Sequence, residues 1–190
     1  NKLLVIFRGI NLNYYNPKQI SDIKLLQLKK EWQVEEEKFK LLLPGRLTNW
    51  KGQINFIEAL NILIEDYKND NFQAFILGSD QGRNVYKKKL QSLIERYNLG
   101  KKIKFIEHCK EMPLAYTISD VVISSSIEPE AFGRVSVEAQ AMQKPIIATN
   151  LGGSKETIVN NKTGILYKFD DPRELAKNIN SFMETDKLAL

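Results

Sequence analysis

The chain has 190 residues, 43% hydrophobic and 27% charged, which suits one well-cored domain and argues against intrinsic disorder. Its 28 Lys plus Arg against 23 Asp plus Glu leave a net charge of +5, which mildly favours anionic ligands, although a Lys-rich solvated surface explains the same excess. The single Cys109 excludes an internal disulfide and points to a reducing, cytoplasmic setting, and no apolar run reaches the ~18 residues needed to span a bilayer.

Lys2 to Phe7 reads as a short buried strand, and Asn11 to Asp22, with Pro17 and few core candidates, as a connecting loop. The chain begins at Asn1 without a signal sequence and is taken as a piece of a longer protein. Ile23 to Phe39 is a charged helical stretch in which Leu25, Leu26, Leu28, Trp32 and Val34 cover one side of the domain. From there strands and helices alternate. Strands are expected at 41–43, 72–77, 104–106, 121–124, 145–148 and 164–167. Helices are expected at 53–67, 84–97, 112–119, up to about Met142, near 155–159 and at 171–184, the last capped by Asp170 or Asp171 with Pro172 in its first turn.

Short apolar strands alternating with amphipathic helices predict an α/β fold, a Rossmann-like doubly wound parallel sheet with helices on both faces. Ligands of such sheets bind beyond the carboxyl ends of the strands. Arg46, Gly78, His108, Glu130 and Gly133 all fall at those ends.

The stretch from Glu128 to Met142 organises the rest. It places Glu130 on a Pro- and Gly-bearing loop and Glu138 eight residues later on a helix, whose side chains lean back toward that loop. The free N–H groups at the helix start suit a phosphate, and the flanking carboxylates suit sugar hydroxyls. A nucleotide-sugar combines those parts. Gly45-Arg46-Leu47-Thr48-Asn49-Trp50-Lys51-Gly52 sets two cations five apart on a strand-to-helix loop, a fork and a point charge for a diphosphate, or simply a charged surface loop. Gly78-Ser79-Asp80-Gln81-Gly82 lacks the full dinucleotide-binding spacing, so turn chemistry explains it as well as ligand approach does. His108 and Cys109 are the only residues of their kinds, too few for a zinc site, and His108 either lines a nucleobase pocket or is merely exposed. Lys87-Lys88-Lys89 and Lys101-Lys102 lack interleaved aromatics, which argues against nucleic acid. A solvated face is the reading, with peripheral contact to an anionic membrane as its alternative.

Gly45-Arg46-Leu47, Lys51-Gly52, Ile118 to Ile123 with Ser126, Glu128 to Gly133, Glu138-Ala139 and Gly152-Gly153 together resemble the C-terminal donor-binding domain of retaining glycosyltransferases of the GT-B fold, family four, also called glycosyl transferases group 1. Glu130 and Glu138 reproduce that family's Glu-x7-Glu motif. The resemblance implies a hexosyltransferase-type enzyme that takes a nucleotide-diphosphate sugar and needs no metal or other cofactor. It implies that Arg46 and Lys51 hold the diphosphate, that Glu130 meets the transferred sugar, and that Glu138 meets the ribose. The backbone of Phe132, Gly133, Arg134 and Val135 would cradle the sugar and distal phosphate, with Gly78 and His108 on the donor side and residues 107–109 against the base. Residues 1–22 would be an interdomain strand and linker, and residues 23–190 the donor domain. The acceptor-binding N-terminal domain would lie outside this chain, so the piece alone would not complete transfer. The acceptor would be a glycan or lipid-linked sugar, as in lipopolysaccharide or envelope polysaccharide synthesis. A non-catalytic nucleotide-binding or interaction module on the same fold is the alternative.

Overall fold

The computed structural model describes residues 9–82 and 84–188. The expected strand at 2–7 lies outside them. Six strands, β1 (Phe39–Pro44), β2 (Phe72–Leu77), β3 (Ile103–Ile106), β4 (Val121–Ser124), β5 (Ile146–Thr149) and β6 (Ile165–Tyr167), form one sheet in the order β3-β2-β1-β4-β5-β6. Every pairing is parallel, with Leu41 opposite both Ala74 and Val121.

Alternate side chains of each strand enter different cores, as the two-residue period demands. Leu41, Leu43, Ala74, Ile76 and Ile123 point to one face. There they meet Phe56 and Leu60 of α2 (Gln53–Glu65), Leu90 of α3 (Asn84–Arg96) and Leu175 and Ile179 of α7 (Pro172–Leu188). Leu42, Phe75, Leu77, Val122 and Ala148 point to the other, against Tyr116 of α4 (Met112–Ile118), Ala139 of α5 (Arg134–Ala141) and Trp32, just beyond α1 (Asp22–Glu31). Both faces being dry, the strands carry continuous apolar sequence. A four-residue α6 (Ser154–Thr157) follows β5. At the start of α7 the Asp171 carboxylate accepts the Glu174 N–H at 2.9 Å, so Asp171 is the cap, while Asp170 takes a positive φ and accepts from Asn55.

The expected helix over 23–39 is a correction. It ends at Glu31, and Phe39 already belongs to β1. Gln33 adopts φ 50°, the Gln33 N–H reaches Lys30 O and the Val34 N–H reaches Lys29 O, a Schellman ending with glutamine where glycine is usual. That ending splits the apolar set. Leu25, Leu28 and Trp32, spaced three and four apart, turn inward, whereas Leu26 is 65% exposed. The lead-in segment is a loop with one 3-10 turn, Pro17–Gln19, but it also sends Tyr15 into the second core.

Candidate functional site

The chain leaves β1 for β2 and β3 on one side, then returns to β4 on the other. The carboxyl ends of β1 and β4 therefore flank the switch point where such sheets open a crevice. A cleft of about 580 Å³ lies there, walled by the loops after β1, β2, β3 and β4. Arg46, Lys51, Gly78, His108, Glu130, Phe132, Gly133, Arg134, Val135 and Glu138 all line it.

The loop after β1 is fastened to the loop after β4 through its backbone. The Ile127 N–H donates to Trp50 O at 2.8 Å, and the Ser125 hydroxyl donates to Gly52 O at 3.0 Å. Gly52, at φ 69°, must be glycine, because a Cβ there would lie 1.8 Å from the Ser125 carbonyl oxygen. Lys51 is thereby aimed across the cleft. Its Nζ meets Glu130 Oε1 at 2.7 Å, with both side chains only 13% and 12% exposed, and the Ser126 hydroxyl donates to the same oxygen. The two residues expected to serve different parts of one ligand are thus partners of each other.

Glu138 sits one turn into α5. Its Oε1 accepts from Arg134 at 2.8 Å and its Oε2 accepts from the Tyr116 hydroxyl at 2.7 Å. Burial, with the Glu138 charge second, holds the Tyr116 phenol well above its ordinary pKa, and the same two causes raise Tyr15. Both phenols are neutral at neutral pH, and the Tyr116 hydroxyl is the one that donates to Glu138. Arg134 is held more basic by its bond to Glu138. Gly133 takes φ 73° at the start of α5 and offers no side-chain cap, so the first N–H groups of the helix border the cleft at the positive end of its dipole.

Gly78 lines the cleft for a packing reason, since a Cβ there would fall 2.0 Å from Gly45 O. The turn after it is ordinary, with the Gly82 N–H donating to Asp80 Oδ1 and the Gln81 N–H to Ser79 Oγ. His108 is exposed on the cleft wall. Cys109 is half-buried beside it, donates to Glu111 O, and has its thiol pKa raised by desolvation. Among the described residues no three His, Cys, Asp or Glu side chains gather to hold a metal ion, and no helix is long and apolar enough to cross a membrane.

Tyr15, Trp50 and Tyr116 also line the cleft, and the sequence reading gave them no role. Trp50 stood between the two candidate cations, which was the available signal. Tyr116 was hidden in an apolar helix and Tyr15 in a loop.

The family model described as glycosyl transferases group 1 matches residues 26–190. The chain belongs to that family. Among its curated relatives, spore coat protein SA of Bacillus subtilis is 31% identical over 98% of the chain and 51% of its own length. Among solved structures, a glycosyltransferase from Rickettsia africae superposes with a TM-score of 0.89 at 36% identity, over 95% of this chain and 47% of that one. HepE of Anabaena, solved in complex with UDP and glucose, superposes with a TM-score of 0.86 at 30% identity, over 97% and 48%. The chain spans about half the length of these relatives, and its sheet is the Rossmann-like half of a GT-B fold.

Proposed function

We infer that this chain is the donor-binding half of a retaining glycosyltransferase, gripping a nucleotide-diphosphate sugar in the cleft between the β1 and β4 loops. The observation that carries this reading is the meeting in one cleft of Arg46, Lys51 and the uncapped start of α5, flanked by Glu130 and Glu138. A diphosphate needs cations and backbone donors at its centre, and the rings on either side need hydroxyl acceptors. HepE, with UDP and glucose, supports the same ligand class.

In the proposed reaction the bond from the anomeric carbon to the diphosphate oxygen breaks. The acceptor hydroxyl oxygen bonds to that carbon from the same face, and its proton passes to the departing diphosphate. Charge grows on the leaving group, where Arg46, Lys51 and the helix-end N–H groups stabilise it without reorganising. Glu130 orients sugar hydroxyls and Lys51, Glu138 receives the ribose, and no protein nucleophile is invoked. Residues 1–22 lead in from an acceptor-binding domain outside this chain, and a hexose passes to an envelope glycan or lipid-linked acceptor.

Calorimetric titration with UDP-, GDP- and ADP-sugars tests the reading. One of them should bind, and Arg46→Ala or Lys51→Ala should weaken it at least tenfold, as loss of a charge-assisted contact requires. Absence of binding by all three would overturn it.

A further inference from the structure

We propose that Trp50 is a positioning residue, a neutral aromatic platform that holds both Arg46 and Lys51 at the edge of the cleft. The inference rests on the diphosphate reading above and names a residue through which the two cations act.

The geometry is specific. Lys51 Nζ stands 4.4 Å from the centroid of the Trp50 ring, and the Arg46 guanidinium carbon stands 5.8 Å from it. Both lie within the range in which a cation is drawn to the negative face of an indole. Two cations held ready for one ligand each need an anchor. A carboxylate could supply the anchor, as Glu130 does for Lys51, but it cancels charge that an incoming diphosphate would use. The Trp50 ring attracts both cations through its quadrupole and leaves their net charge intact.

Arg46 makes the point most clearly. Among the described residues its guanidinium has no ion pair, and its backbone oxygen, not its side chain, accepts from Gln53. The ring of Trp50 is what orients this exposed fork. Lys51 is constrained twice more, by Glu130 and by Gly45, against which its stem packs. Trp50 itself is half-buried, and its backbone carbonyl is fixed by the Ile127 N–H, a bond that side-chain substitution leaves in place.

The test compares Trp50→Phe and Trp50→Leu with wild type, in the presence and absence of Lys51→Ala, by calorimetry with UDP, GDP and ADP and by thermal melts. For the diphosphate that wild type binds best, Trp50→Leu should weaken affinity about tenfold, the size expected of two partly solvated cation–π contacts. Trp50→Phe, with a weaker quadrupole, should lose about threefold, while the two variants melt within a degree of each other. Combined with Lys51→Ala, the loss from Trp50→Leu should shrink, because one of the two cations it holds is gone. Equal affinity of Trp50→Leu and wild type would overturn the proposal while leaving the diphosphate reading intact, as would equal losses for Phe and Leu or strict additivity with Lys51→Ala. Failure of wild type to bind any of the three would overturn both.

Discussion

Replacing Glu138 by Ala removes one carboxylate from two donors with very different alternatives. Arg134, whose side chain is 67% exposed, turns to water and loses little. Tyr116 cannot, because it is fully buried and its hydroxyl donates to Glu138 Oε2 at 2.7 Å. Stranding that hydroxyl should cost about 1 to 3 kcal/mol. For a chain of this size each kcal/mol shifts Tm by about 2 to 4 °C, so a central cost of about 2 kcal/mol lowers Tm by about 4 to 8 °C. Glu138→Gln keeps an oxygen acceptor and should lose less than half as much. The decisive variant is Glu138→Ala combined with Tyr116→Phe, in which no hydroxyl is stranded. It should be more stable than the sum of the single losses by about 1 to 2 kcal/mol in urea or thermal unfolding. Additivity within about 0.3 kcal/mol would refute the claim that Tyr116 is the group that makes Glu138 structurally expensive to remove.

Gly52→Ala places a methyl into the Ser125 carbonyl at positive φ and should cost about 2 to 4 kcal/mol, read as a lower urea midpoint with unchanged slope. Glu58 has its pKa raised by burial first and by Asp170 second. A raised carboxylate favours the protonated folded state, so its help is complete below the unfolded pKa and is lost as pH climbs through the folded one. Glu58→Gln should therefore raise Tm at pH 7 by about 1 °C, the site being only partly buried, and the gain should vanish below about pH 4, as parallel melts would register. Cys109, half-buried with a raised thiol pKa, should react with iodoacetamide at pH 7.5 at least tenfold more slowly than in urea-unfolded chain, since the thiolate is the nucleophile.

Much of the sheet was legible because parallel strands covered on both faces carry uninterrupted apolar runs. Phe72–Leu77 and Val121–Ser124 stand where those runs predicted. The end of α1 was not, because a glutamine at φ 50° carries none of the glycine signal that usually marks a Schellman ending. Strand-end residues could be gathered at one rim from topology alone, so the candidate cleft was foreseen as a neighbourhood. Its internal pairing was not. Lys51 and Glu130 are 79 positions apart, and Tyr116 and Glu138 are 22, separations over which local pattern says nothing about which atoms meet. Tyr15 reached the same network from a loop whose composition announced only a connection.

All six strands run in one direction, so the molecule has a working rim and a spare one. Loops at the amino ends of the strands can absorb change that the cleft would not feel. Gly100, ahead of β3 with open space where a side chain would begin, is the natural attachment point for a fluorophore or surface tether. A probe anchored there would leave the far rim unobstructed.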